Sequence, residues 1–193
     1  MITPRILCLS ALALIPLAAA APSPAPFTAA NADQNWTPVD FKGHTIYINN
    51  AAIIGSAENR AIKVFRGVFG NVGPDSDTCQ DSSFDPHPAP FANTADCQII
   101  SDWAATVNTF WEVWGNTDDF HPIVRSGNCV FISGTKNVSG TWIGSTDIKE
   151  IISAALTKLQ YNGNVAAQGE MPCDNGGLRV LGQSKVRWAI KQY

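Results

Sequence analysis

Apolar positions between residues 145 and 163 recur with a helical period. Ile148, Ile151, Ile152, Ala155, Leu156 and Leu159 fall at i, i+3, i+4, i+7, i+8 and i+11, so one face is wholly apolar. Ser145, Thr146 and Asp147 ahead of that run are capping residues. Asp147 and Glu150 place acid at the positive helix end, and Asn162-Gly163 supplies a stop. A second helix is predicted after Asn93 or Thr94, with Cys97, Ile100, Trp103, Ala104 and Val107 on its inner side. Strands are predicted at residues 44–48 (HTIYI), 110–114 (FWEVW), 128–133 (NCVFIS) and 141–143, the last two joined by a turn containing Gly134 and Gly140. Residues 165–171 alternate loosely. Val186, Trp188 and Ile190 alternate with Lys185, Arg187 and Lys191, the pattern of a strand with one wet face. Residues 58–65 fit either a helical turn or a strand, and residues 75–93, rich in Asp, Ser and Pro, read as loop. The expected fold class is α+β, an antiparallel sheet covered by two helices and stabilised by disulfides.

Composition sharpens this reading. The chain has 193 residues, 45 % of them hydrophobic, with six Trp and nine Phe, which excludes a disordered polymer. Five cysteines would leave one thiol unpaired. Residues 1–20 resolve that: Arg5 precedes an apolar run over residues 6–17, and alanines follow at 18–21, the layout of a secretory signal. The apolar run is too short for a comfortable bilayer span and contains Pro16. Cleavage there removes Cys8 and leaves Cys79, Cys97, Cys129 and Cys173, a set for two disulfides in an oxidising compartment. It also leaves 12 basic against 16 acidic residues, a net charge of −4, with no basic cluster for nucleic acid and no membrane-spanning segment. Residues 21–75 are expected to form an N-terminal extension of uncertain structure, opened by the stiff PSPAP linker at 22–26, and residues 76–193 the α+β domain.

Reactive chemistry is sparse. His44, His87 and His121 lie far apart and have no metal-ligand spacing. Asp75, Asp77, Asp81 and Asp85 crowd one loop, but Cys79 occupies a ligand position of a calcium loop, Gln80 replaces its central Gly, and the closing Glu is missing. There is no G-x-S-x-G elbow, and four paired cysteines offer no thiolate. Asp118-Asp119 reads as a solvated turn. No cofactor, metal or catalytic residue is expected. Trp103, Trp111, Trp114, Trp142 and Trp188 lie on elements whose pattern predicts burial. Asn137-Val138-Ser139 is an N-glycosylation sequon, which implies an exposed turn. Asn35-Trp36-Thr37 is a second, weakened by Pro38.

Ala95-Asp96-Cys97 opening a helix, followed by Ser126-Gly127-Asn128-Cys129-Val130-Phe131 on a strand, begins a longer set of motifs. It continues through Ile143-Gly144, Asp147-Ile148, Gly163-Asn164-Val165, Gly169-Glu170-Met171-Pro172-Cys173 and Val186-Arg187-Trp188-Ala189-Ile190. This set resembles the fungal secreted-effector domain known as the necrosis-inducing factor family, over about residues 79–193. The layout is also similar to a killer-toxin-like α/β sandwich, whose toxins act on target-cell surfaces. The resemblance implies an extracellular effector that promotes virulence or provokes cell death by binding a host or competitor surface target, and it carries over no catalytic residues. Four cysteines permit three pairings. The favoured one joins Cys97 to Cys129, tying the first helix to the next strand, and Cys79 to Cys173, a choice the toxin layout also suggests. The alternative expectation is a secreted carbohydrate-binding module or hydrolase acting on cell-wall polymers through exposed aromatics.

Overall fold

The computed structural model describes residues 36–49, 53–56, 77–113, 119–138, 140–175 and 182–193. The signal-like segment, Cys8, Asn35, residues 58–65, Asp75, Trp114 and Asp118 lie outside these. The described elements are, in chain order, β1 (Trp36–Phe41), β2 (His44–Asn49), β3 (Ile53–Ser56), β4 (Asp85–Pro86), β5 (Ala92–Asn93), α1 (Thr94–Ala104), β6 (Thr109–Val113), β7 (His121–Ser126), β8 (Cys129–Thr135), β9 (Thr141–Gly144), α2 (Ser145–Leu159), β10 (Asn164–Val165), β11 (Ala167–Asp174) and β12 (Gln183–Gln192).

Seven strands form one antiparallel sheet in the order β1-β2-β7-β8-β12-β11-β4. Three more pair as β3-β6-β9, and β10 pairs with β5. The single sheet of the sequence reading is therefore three. The predicted strands at 128–133 and 141–143 are consecutive but do not pair. β8 sits between β7 and β12 in the large sheet, whereas β9 pairs with β6 in the small one. The boundary expected at residues 75 and 76 lies at the edge of the described residues. β2 pairs with β7 and β3 with β6, so strands on either side of it share both larger sheets.

The large sheet turns Ile46, Val124, Phe131, Val186, Trp188 and Ile190 toward the core, where they meet Ile100 and Trp103 of α1 and Ile148, Ile151 and Ile152 of α2. Trp188 is fully buried, stacked on Phe131 and edge-on to Phe84, with its indole N–H donated to Ser82 Oγ at 2.6 Å. Trp103, Trp111 and Trp142 are buried as well. The helices meet through Ser101 and Ser153, whose hydroxyl oxygens lie 2.9 Å apart.

Asn93 caps α1, its side-chain oxygen accepting from Ala95 N–H at 2.8 Å, and the helix ends before Val107. At α2 the cap is Gly144, one residue earlier than the three capping residues suggested. Ser145 instead donates its hydroxyl to Val107 O at 2.7 Å. Asp147, in the first turn, reaches back to accept Gly144 N–H at 2.7 Å, satisfying one of the amides that a helix start leaves open.

Disulfides join Cys79 to Cys173 and Cys97 to Cys129, at sequence separations of 94 and 32. Beside the second, Asp96 accepts Asn128 N–H at 2.9 Å and Asn128 Oδ1 accepts Asn93 N–H at 2.8 Å. The helix start and the β7-β8 turn are thus zipped on both sides of the bond. Gly127 adopts φ +50°, and its missing Cβ leaves the space that the Asp96 carboxylate fills. In the chain-entropy model each closure stabilises by about 4 kcal/mol.

Candidate functional site

Strand pairing fixes which side chains share the outer face of the large sheet. Tyr47 pairs with Arg125, Arg125 with Val130, and Val130 with Lys191, so one row of four strands faces away from the core. Trp36 shares that face, because it lies two residues before Pro38, the β1 partner of Tyr47. Tyr193 continues the same alternation beyond Lys191 and is held by its N–H to Asn128 O at 2.9 Å. The Arg125 guanidinium carbon lies 4.2 Å from the ring centres of Tyr47 and Tyr193 and 5.2 Å from that of Trp36. Trp36 meets Tyr193 edge-on at 6.0 Å. Trp36 and Tyr47 are half-buried, and Tyr193 is 44 % exposed. A planar cation held by three rings is pre-oriented, so little side-chain freedom is left to lose on contact with a partner.

Farther along the face, Phe120 packs on Val130, Ile132 and Ala189, and the Arg187 guanidinium lies 5.1 Å from the Phe120 ring. Lys185 bridges Glu170 at 2.7 Å. Arg125, Lys185, Arg187 and Lys191 share this face with Asp40, Asp85, Glu170 and Asp174, so its formal charges balance. The 77–84 loop carries exposed Asp77 and Asp81.

Asp147 is the other unusual group. Its carboxylate accepts Thr78 N–H and Thr78 O–H at 3.0 Å each, Cys79 N–H at 3.1 Å and Gly144 N–H at 2.7 Å. Burial pushes its pKa up from 3.8 to about 6, against the lowering effect of those four bonds. A cavity of about 350 Å³ opens beside it between α2 and the 77–84 loop, lined by Asp77, Asp81, Phe84, Glu150 and Met171. The disulfide and the saturated carboxylate make this a structural clamp.

The remaining sequence candidates fall elsewhere. His44 and His121 are exposed, and His87 Nδ1 lies 2.7 Å from Pro88 O. Among the described residues no three His, Cys, Asp or Glu side chains gather in metal-binding geometry. No helix among them is long and apolar enough to cross a membrane. Asn137 is half-buried, with Nδ2 at 3.0 Å from Gly140 O and Thr141 Oγ1 and 2.8 Å from Asn175 Oδ1, so a glycan attached there would replace these bonds. Sequence reasoning missed the Arg125 cluster. Its members are drawn from residues 36, 47, 125 and 193, and only the wet-face alternation of the last strand hinted at it.

These features define a disulfide-linked α+β domain with antiparallel sheets and an arginine-aromatic cluster on one sheet face. Residues 78–173 match the Hce2 family, described as "Pathogen effector; putative necrosis-inducing factor", and the chain carries a domain of that family. The match runs from the residue before Cys79 to Cys173, the span closed by the longer disulfide. A stretch of 103 residues, 51 % of this chain, is 29 % identical to the "Probable chitinase LysM18" of Penicillium expansum. The aligned part is 7 % of that much longer protein.

Proposed function

We propose that the chain is a secreted fungal effector that acts outside the producing cell, binding a host or competitor target rather than transforming it. The observation that carries this reading is the Arg125 cluster on the outer sheet face. Arg, Trp and Tyr are the residue types that dominate the energetics of protein interfaces, and here they converge on the outer face of one sheet. Trp36, Tyr47 and Tyr193 lie outside the matched family segment, while Arg125 lies inside it. The flanking strands therefore add recognition to a shared scaffold. The signal-like start and the two disulfides support an extracellular site of action.

The test is infiltration of the purified mature chain into leaf tissue beside Tyr193→Ala and Trp36→Ala variants of matched near-UV circular dichroism. The expected result is cell death or altered defence with the native chain and a dose requirement at least about tenfold higher for each variant. Full potency in both variants, or inertness of the native chain across hosts with no partner recovered, would count against it.

A second reading, a module directed at cell-wall polymers, is favoured by the relative whose name is that of a probable chitinase. Retention of the chain on insoluble wall polysaccharides tests it.

A further inference from the structure

The antiparallel helices leave a groove between the first turns of α1 and the last turns of α2. It has a volume of about 550 Å³ and is lined by Thr94, Gln98, Ser153, Leu156, Thr157 and Gln160, with no charged side chain in its wall. That volume falls in the range of small-molecule sites.

The hydrogen bonds of the wall set what it can accept. Thr94 Oγ1 donates to Gly163 O at 3.1 Å, and Thr157 Oγ1 donates to Ser153 O at 2.9 Å. Ser101 donates its proton to Lys149 O, so the 2.9 Å contact between Ser101 and Ser153 uses the proton of Ser153. All three hydroxyl protons of the wall therefore point into the protein. A hydroxyl has one proton and two lone pairs, so what remains toward the groove is acceptor capacity. Gln98 adds its carbonyl oxygen and one N–H, the other being held by Asp102 Oδ1 at 2.7 Å, and Gln160 adds a second carboxamide. Such a wall, with hydroxyl and amide acceptors, amide donors and no cation, suits a neutral ligand whose hydroxyls both donate and accept, and offers nothing to neutralise a phosphate or carboxylate. Leu156 adds an apolar patch to the floor. Tyr161, the residue after Gln160, is 78 % exposed on the turn that also receives the Thr94 hydroxyl. An aromatic face beside hydroxyl acceptors is the usual chemistry for the C–H face and O–H edge of a sugar ring.

We infer that the groove between α1 and α2 binds a neutral oligosaccharide, seated by donation of its hydroxyl or acetamido protons to Thr94, Gln98, Thr157 and Gln160. This rests on the second reading above and adds to it a place and a chemistry. The whole groove lies inside the matched family segment, apart from the Arg125 face.

The test titrates the full mature chain, ¹⁵N-labelled, with the hexamer of β-1,4-linked N-acetylglucosamine and separately with cellohexaose, which distinguishes an amino-sugar polymer from a plain glucan. Shifts of the Gln98 and Gln160 side-chain amides with either sugar are expected. Ala95→Trp, a change at an exposed position on the rim, should weaken binding at least tenfold, and so should Tyr161→Ala. Retention of the chain on insoluble chitin is measured in parallel. If native chain and Ala95→Trp are retained equally, the wall reading stands and this site is overturned. If there is no retention and neither hexamer shifts any resonance, both fall.

Discussion

Asp147 holds Thr78 twice, its Oδ2 accepting both the backbone N–H and the hydroxyl of Thr78 at 3.0 Å. The first residue of the family segment is thereby pinned to the first turn of α2, next to the Cys79–Cys173 bond. Asp147→Ala leaves the amides of Thr78, Cys79 and Gly144 without that acceptor, and each buried donor so orphaned costs about 1–3 kcal/mol. Urea unfolding should show a lower midpoint with an unchanged slope. A midpoint equal to the native one would show that the clamp contributes nothing.

The same carboxyl predicts a pH dependence of definite sign. In the unfolded chain it titrates near its ordinary value of 3.8, and in the fold at about 6. Between those values the folded state holds a proton that the unfolded state has released. This contribution to stability is therefore complete below the lower pKa and is lost as pH rises through the upper one, with a ceiling of about 3 kcal/mol. Lowering the pH from about 7 to about 5 should raise the native melting temperature relative to Asp147→Asn, which cannot titrate. Parallel pH slopes for the two proteins would overturn the assignment.

Gly127 and Asp96 should be energetically coupled. Gly127→Ala places a Cβ at φ +50° in the space of the Asp96 carboxylate, combining backbone strain with a clash, at a cost of about 2 kcal/mol. Asp96→Ala removes the clash together with the bond to Asn128 N–H. A double-mutant cycle by chemical denaturation should give a double variant less destabilised than the sum of the singles, and strict additivity would contradict the contact.

Gly169 is constrained by approach rather than by φ. A Cβ there meets the Ser83 carbonyl and the Trp188 ring. Gly169→Ala should push the 82–84 segment off β11, breaking the Ser83 N–H to Glu170 O bond and the Trp188 indole bond to Ser82. The expected loss is about 2–3 kcal/mol, with a change in tryptophan fluorescence. Native-like fluorescence and stability would mean that the backbones yield at no cost.

Arg125→Lys keeps the charge but loses the planar stacking against three rings. It should destabilise the fold by about 1 kcal/mol or less while lowering target binding strongly, as read by dose response in tissue. Equal potency would remove the cluster from the interface.

Sequence patterns made the helices legible because their apolar periods are long and their caps are polar side chains. The cap of α2 shifted by one residue because Gly144 sits in extended backbone and needs no side chain once Asp147 reaches back to it. Local alternation says which residues of a strand share a face, but not which strand lies beside it. Tyr47 and Arg125 are 78 positions apart and meet only because β2 pairs with β7. For the same reason β8 and β9, neighbours in sequence, could not be assigned to different sheets. The helical groove was equally hidden, since its character depends on where each hydroxyl proton goes.

The large sheet ends on β1 at one side and on the two-residue β4 at the other, and each carries a proline, Pro38 and Pro86. Proline offers no N–H to an incoming strand, and a two-residue edge offers almost no ladder. Among the described residues, both margins are therefore poor templates for a further strand. Two copies that collide edge to edge find little free backbone to pair with, so crowding alone does not seed a shared sheet.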